Sequence, residues 1–131
     1  MVEKFSIEKK GRKSRFVKRE KIYDMQFAKV YPMLIAKAER KERTRAEVLE
    51  ITTWFTGYNS EKIEELMQSD ISYGEFSLQA PMLNPNRKKI TGTICGVRIE
   101  NIEEPLMQEI RYLDKMVDEL AKGKSLDKIL R

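Results

Sequence analysis

The only cysteine of the chain lies in "ITGTICGVRIE", residues 90–100, where Cys95 stands between Gly92 and Gly96 with Arg98 three residues on. A thiol becomes a nucleophile when a cation, a helix N-terminus or a base stabilises its thiolate. Arg98, Lys88 and Lys89 are the neighbouring cations in sequence. The competing reading is packing, because unpaired cysteine is among the most commonly buried residue types and behaves as a small hydrophobe. Gly92 and Gly96 would share one face of a helix and admit a second backbone closely, here the helix expected over residues 105–121. "TGTICG" lacks the Lys-Ser/Thr of a phosphate-binding loop and is no dinucleotide fingerprint. The packing joint is therefore the favoured reading.

A second group of residues suits anion chemistry. "NPNR" supplies Asn84, Asn86 and Arg87, and Arg98 and Arg111 add two more guanidinium groups. Arginine offers a planar fork of donors matched to carboxylate or phosphate, so these five residues form the candidate anion or ligand site. The plainer alternative has Asn84 capping a turn, Asn86 filling it, and the arginines pairing with Glu103, Glu104 or Asp114. That alternative is preferred. Histidine is absent, which removes Ser-His and Cys-His nucleophile pairs, histidine bases and histidine-containing zinc sites. No catalytic, metal or cofactor-binding residue is assigned, and no cofactor is expected.

The elements that must position these residues read as helical. At 131 residues, 40% hydrophobic and 36% charged, the chain suits one globular domain. Pro32 is expected to break "MQFAKVYPMLIAKAERK", giving a turn near 24–30 and a helix over 32–42. Thr44 and Glu47 form a capping box for a helix that turns Val48, Ile51, Trp54, Phe55 and Tyr58 inward and closes at Gly57. Ser60 is expected to cap a third helix. Ser72 and Glu75 repeat the capping box for a fourth, ended by Pro81. Asn84 and Pro85 read as the cap and first residue of a further helical turn. Residues 90–99 are ambiguous: Ile90, Ile94 and Val97 keep helical spacing, whereas the Thr, Ile and Val content favours a strand. Helix is the assignment made, because the body offers no second convincing strand. Pro105 and Gly123 bracket the clearest helix, whose Leu106, Ile110, Leu113, Val117 and Leu120 step 4-3-4-3. Ser125 caps a last short one. The fold class is all-α, a small orthogonal bundle of six or seven short helices, with α+β as the alternative if 90–99 is a strand.

Charge divides the chain differently. Residues 1–21 hold nine Lys/Arg against three acids, while the remaining 110 residues hold 17 basic and 18 acidic side chains. Residues 1–20 thus read as a basic arm carrying Lys9, Lys10, Arg12, Lys13, Arg15, Lys18 and Arg19, with Phe5 and Phe16 interleaved, and 21–131 as one helical domain. Such an arm could bind nucleic acid weakly and nonspecifically, with a steep salt dependence. A helix-turn-helix reading of 45–68 fails, because its recognition helix would carry Glu61, Glu64, Glu65 and Asp70 towards phosphates. No apolar run reaches the ~20 residues of a membrane span. The N-terminus lacks a secretory apolar core, and one cysteine cannot form an intramolecular disulfide, so the cytoplasm is expected.

"KVYPMLIAKAERKERTRAEV", "TGY", "NPNR" and "ITGTICGVRIENIEEPLMQEIRYLDKMVDELAKGKSLDKIL" together resemble a bacterial family known as domain of unknown function 2200, over roughly residues 21–131. The resemblance implies a small, mainly helical, cytoplasmic bacterial protein and carries no activity onto any residue. The leading functional expectation is a non-enzymatic interaction module; the 106–120 seam is read as internal core, with core plus a homodimer interface as the alternative. The arm-driven nucleic-acid protein is the alternative, and an anion binder or enzyme using Arg98 and Arg111 the weaker one.

Overall fold

Pro32 does not begin a helix; it sits inside one. In the computed structural model, which describes residues 21–131, α1 (Phe27–Glu39) starts five residues before it. The lost N–H and the ring clash destabilise this turn, but two larger effects oppose them. Phe27, Val30 and Tyr31 are all buried, and the Phe27 ring stacks on Tyr31 at 4.8 Å and on Phe76 at 4.0 Å. An isolated antiparallel bridge pairs Gln26 with Ser72, where Phe27 N donates to Ile71 O at 2.9 Å and Tyr73 N to Met25 O at 2.8 Å. Tertiary packing has overruled local preference. The basic arm lies outside the described residues.

Capping chemistry places the next three helices. Thr44 and Glu47 form the capping box of α2 (Arg45–Thr56), and Ser72 and Glu75 that of α4 (Tyr73–Leu78). The cap of α3 (Ser60–Leu66) is Asn59, not Ser60: its side chain accepts from Lys62 N at 2.7 Å, and asparagine caps as well as serine. Gly57 closes α2 at φ 83°, as expected. A Cβ there would also come within 3.0 Å of the Met82 backbone, so the 80–84 loop can lie on this turn only above glycine.

Residues 93–98 are a β-hairpin, which corrects the helix assignment. Strand β1 (Thr93–Ile94) pairs with β2 (Val97–Arg98) in antiparallel register, Thr93 opposite Arg98 and Ile94 opposite Val97. The two turn residues, Cys95 at φ 54° and Gly96 at φ 79°, are both left-handed, the geometry that two-residue hairpin loops require. The partner strand that was missing is thus the next two residues of the chain. Gly96 has no neighbour within 4 Å of a built Cβ, and Gly92 meets only the Lys115 side chain, so these glycines serve backbone shape and not helix clearance.

The core is organised by α5 (Pro105–Ala121), from which Ile110, Leu113, Met116, Val117 and Leu120 are almost completely buried against the other helices. Tyr112 widens the buried face beyond a two-position seam, as a helix in its own bundle does. Gly123 at φ 98° ends the helix, with Gly123 N donating to Leu120 O and Lys124 N to Glu119 O. Helix α6 (Leu126–Ile129) then tucks Ile129 inside. The result is a mainly helical domain with a single small hairpin among the described residues. None of these helices is long and apolar enough to cross a membrane.

Candidate functional site

The five residues proposed for anion binding fall in three places. Arg87 clamps Glu109 with both ends of its fork, Nε to Oε1 at 2.7 Å and Nη2 to Oε2 at 2.9 Å, and donates through Nη1 to Asn84 O at 3.0 Å. Asn84 Oδ1 accepts from Asn86 N at 2.9 Å, and Asn86 Nδ2 donates to the Arg131 carbonyl at 3.0 Å. This cluster ties the turn before the hairpin to α5 and the chain end. Arg98, on β2, pairs with Glu100 at 3.4 Å, and Glu100 also accepts the Gly92 N–H, which holds its carboxyl below the usual range. Arg111 donates to Asp114 Oδ2 at 2.7 Å. The pairing alternative holds, with Glu109 and Glu100 as partners where Glu103 and Glu104 were expected.

Cys95 is exposed, so the buried-packing reading is corrected: the hairpin tip carries the thiol outward. Its Sγ lies 3.6 Å from Arg111 Nη1, over a small cavity of about 260 Å³ whose wall includes Ile94, Met33, Lys37 and Asp114. Burial raises the Asp114 pKa against the opposing hydrogen bond from Arg111. Beneath lies the Tyr73 hydroxyl, fully buried without a hydrogen-bond partner and pushed well above its ordinary pKa by burial first and the Asp114 charge second. The arrangement sets an exposed thiol beside the Arg111 guanidinium, whose carboxylate partner is Asp114 in the same wall.

Two concave surfaces escaped sequence reasoning. The first is an apolar groove of about 490 Å³ between the end of α4 and the start of α5, lined by Ser77, Leu78, Leu83, Pro105 and Leu106 with Glu104 and Glu109. Leu78 is 73% exposed, as is Met82 on the adjoining loop. The signal was "SLQAPML", whose Leu78 ends α4 and whose Met82 lies in the loop that follows.

The second lies at the other end of α5. Lys115, Asp118, Glu119 and Lys122 fall on one face at helical spacing, and Lys124, Ser125 and Lys128 approach from the loop and α6 around a space of about 620 Å³. Asp118 is held by Lys37 and Lys122, each at 3.0 Å. Burial raises its pKa, but the two ammonium groups outweigh burial and leave it lowered. Glu119 Oε2 takes Arg131 Nη2 at 2.7 Å and Lys124 at 3.4 Å, while Glu119 Oε1 is buried with no partner. Among the described residues, no group of His, Cys, Asp and Glu is arranged to hold a metal ion.

A small helical domain with a hairpin inserted before its main helix, and with its arginines spent on ion pairs, defines a scaffold whose open chemistry lies in grooves. The chain belongs to the bacterial family described as "Uncharacterized protein conserved in bacteria (DUF2200)", whose model matches residues 21–131. It is similar to the solved structure "Crystal structure of uncharacterized protein SP1917", with 52% identity and a TM-score of 0.80 over 83% of this chain and 89% of that one. No curated protein matches the chain.

Proposed function

We infer that the protein is a non-enzymatic interaction module, and that its groove between α4 and α5 receives a short basic segment of a partner protein bearing an apolar anchor. One observation carries this reading. Leu78, 73% exposed, flanks a concavity floored by Leu83 and Leu106, with the exposed carboxylate of Glu104 on its rim and that of Glu109 already clamped by Arg87. Apolar surface that stays open beside fixed charge is the usual form of a recognition groove. Its acidic rim selects for lysine and arginine and disfavours acidic segments through like-charge repulsion. Apart from Leu106, the residues of the α5 seam are consumed by the domain's own core, so a second copy, too, would have to use this groove or another surface patch. An exposed thiol without a disulfide partner suits a reducing compartment, and the cytoplasm is the proposed location.

The test uses a fluorescent eight-residue peptide of lysines and arginines around a central Phe-Leu pair, titrated with the full chain and read by anisotropy. Saturable binding is expected, weakened roughly tenfold by Leu78→Glu and by Glu104→Lys, a change of about 1.4 kcal/mol for each. Both positions are exposed, so the variants should remain folded. Equal binding of an acidic counterpart, or indifference to both substitutions, would reject the groove. Retention of DNA that vanishes on deleting residues 1–20 while the peptide fails to bind would favour the arm-driven alternative instead.

A further inference from the structure

We propose that the lysine-lined concavity at the C-terminal end of α5 binds the phosphate group of a small phosphorylated molecule. Four lysines, at 115, 122, 124 and 128, surround this space, and its two carboxylates are already held by cations. Asp118 has Lys37 and Lys122, and Glu119 has Arg131 and Lys124. The concavity therefore keeps an excess of positive charge after its own pairs are made. Lys115 donates to a neutral acceptor, Thr93 O, at 3.1 Å, and Lys128 has no carboxylate within ion-pair distance among the described residues. Lys122 is tethered only by an exposed pair, its side chain 74% accessible, and such pairs contribute little and are readily exchanged. A phosphate monoester carries close to two negative charges at neutral pH and three acceptor oxygens, which suits several ammonium donors at once.

Two further observations point to a ligand. Ser125 occupies the cap position of α6, yet its side chain makes no capping hydrogen bond, leaving the hydroxyl available to the space that it lines. Glu119 is 8% exposed and lines the same space with one carboxylate oxygen unpartnered. A volume near 620 Å³ is that of a small-molecule site. A nucleic-acid backbone, by contrast, would offer evenly spaced diester charges along a surface longer than this depression.

The experiment titrates the full chain with glycerol 3-phosphate, inorganic phosphate, sulfate and a twelve-nucleotide single-stranded DNA. Calorimetry and amide chemical shifts at moderate salt are the readouts. The proposal expects saturable binding of glycerol 3-phosphate, stronger than that of sulfate, with shifts centred on residues 115–128. Lys122→Gln combined with Lys128→Gln should weaken it by tenfold or more. Ser125→Ala should weaken it severalfold without moving the thermal midpoint, which separates ligation from helix capping. Absence of saturation by either phosphate compound, or binding unaffected by the double substitution, would overturn the proposal. So would DNA binding that is lost in the double variant while glycerol 3-phosphate remains inert, since the patch would then be an extended polyanion surface.

Discussion

Glu47 shows how much one side chain can join. Its carboxylate accepts both ends of the Arg43 fork and the Thr44 N–H, and Arg43 Nη1 reaches on to the carbonyls of Leu120 and Lys124 at 3.0 and 3.1 Å. The start of α2 and the end of α5 thereby share one guanidinium. The Arg43 hydrogen bond first, and the Thr44 N–H second, bring the Glu47 pKa down from 4.5 to about 2. Because the folded value is the lower one, the ionised carboxylate stabilises the fold above the unfolded pKa. That contribution disappears as pH falls from about 4.5 to about 2. Glu47→Gln keeps an oxygen for the capping box and removes the charge. It should cost about 1–2 kcal/mol at pH 7, discounted for partial exposure, with the gap to the parent protein closing by pH 2. Urea midpoints measured from pH 7 to pH 2 check this, and a gap independent of pH would contradict it.

At the scale of elements, the hairpin is where physical reasoning and sequence pattern part company. Cys95 holds a left-handed φ of 54° that asparagine and glycine adopt more easily. Cys95→Asn should therefore stabilise the protein by a few tenths to about 1 kcal/mol, while Cys95→Val, β-branched at that angle, should destabilise it. Denaturant midpoints of the two variants should move in opposite directions. The capped helices were legible because each cap is a local device: Thr44 with Glu47, Ser72 with Glu75, Pro105 with Gly123. The hairpin was not, because Ile90, Ile94 and Val97 coincide with helical spacing and a strand of two residues is too short to show alternation. Its real signal was a single dipeptide, Cys-Gly, between Ile94 and Val97. Pro32 misled for another reason: the aromatic stack around Phe27 and the bridge at Gln26 join residues some forty to fifty positions apart, and no local pattern carries that information.

For the whole molecule, the described residues close one continuous core that runs from Phe27 to Ile129. The family model begins at residue 21, six residues before Phe27, the first residue of that core. A chain reduced to residues 21–131 should melt cooperatively at the midpoint of the full chain, within about 1 kcal/mol of its stability. Calorimetry of both would test this, and a lower, broadened transition in the shorter chain would refute it. Of the arginine pairs, Arg111 with Asp114 was legible from the neighbouring acid, whereas the Glu109 partner of Arg87 lies 22 residues away. The grooves were not legible, since each forms where segments far apart in the chain leave space between them. Leu83 and Leu106 meet only after the fold has closed.

The bridge between Gln26 and Ser72 also determines how tension would travel. A pull on the first twenty residues would reach Met25 before α1 and pass through its hydrogen bond with Tyr73 into α4. The load would fall first on the two backbone bonds that join residues 25–27 to residues 71–73.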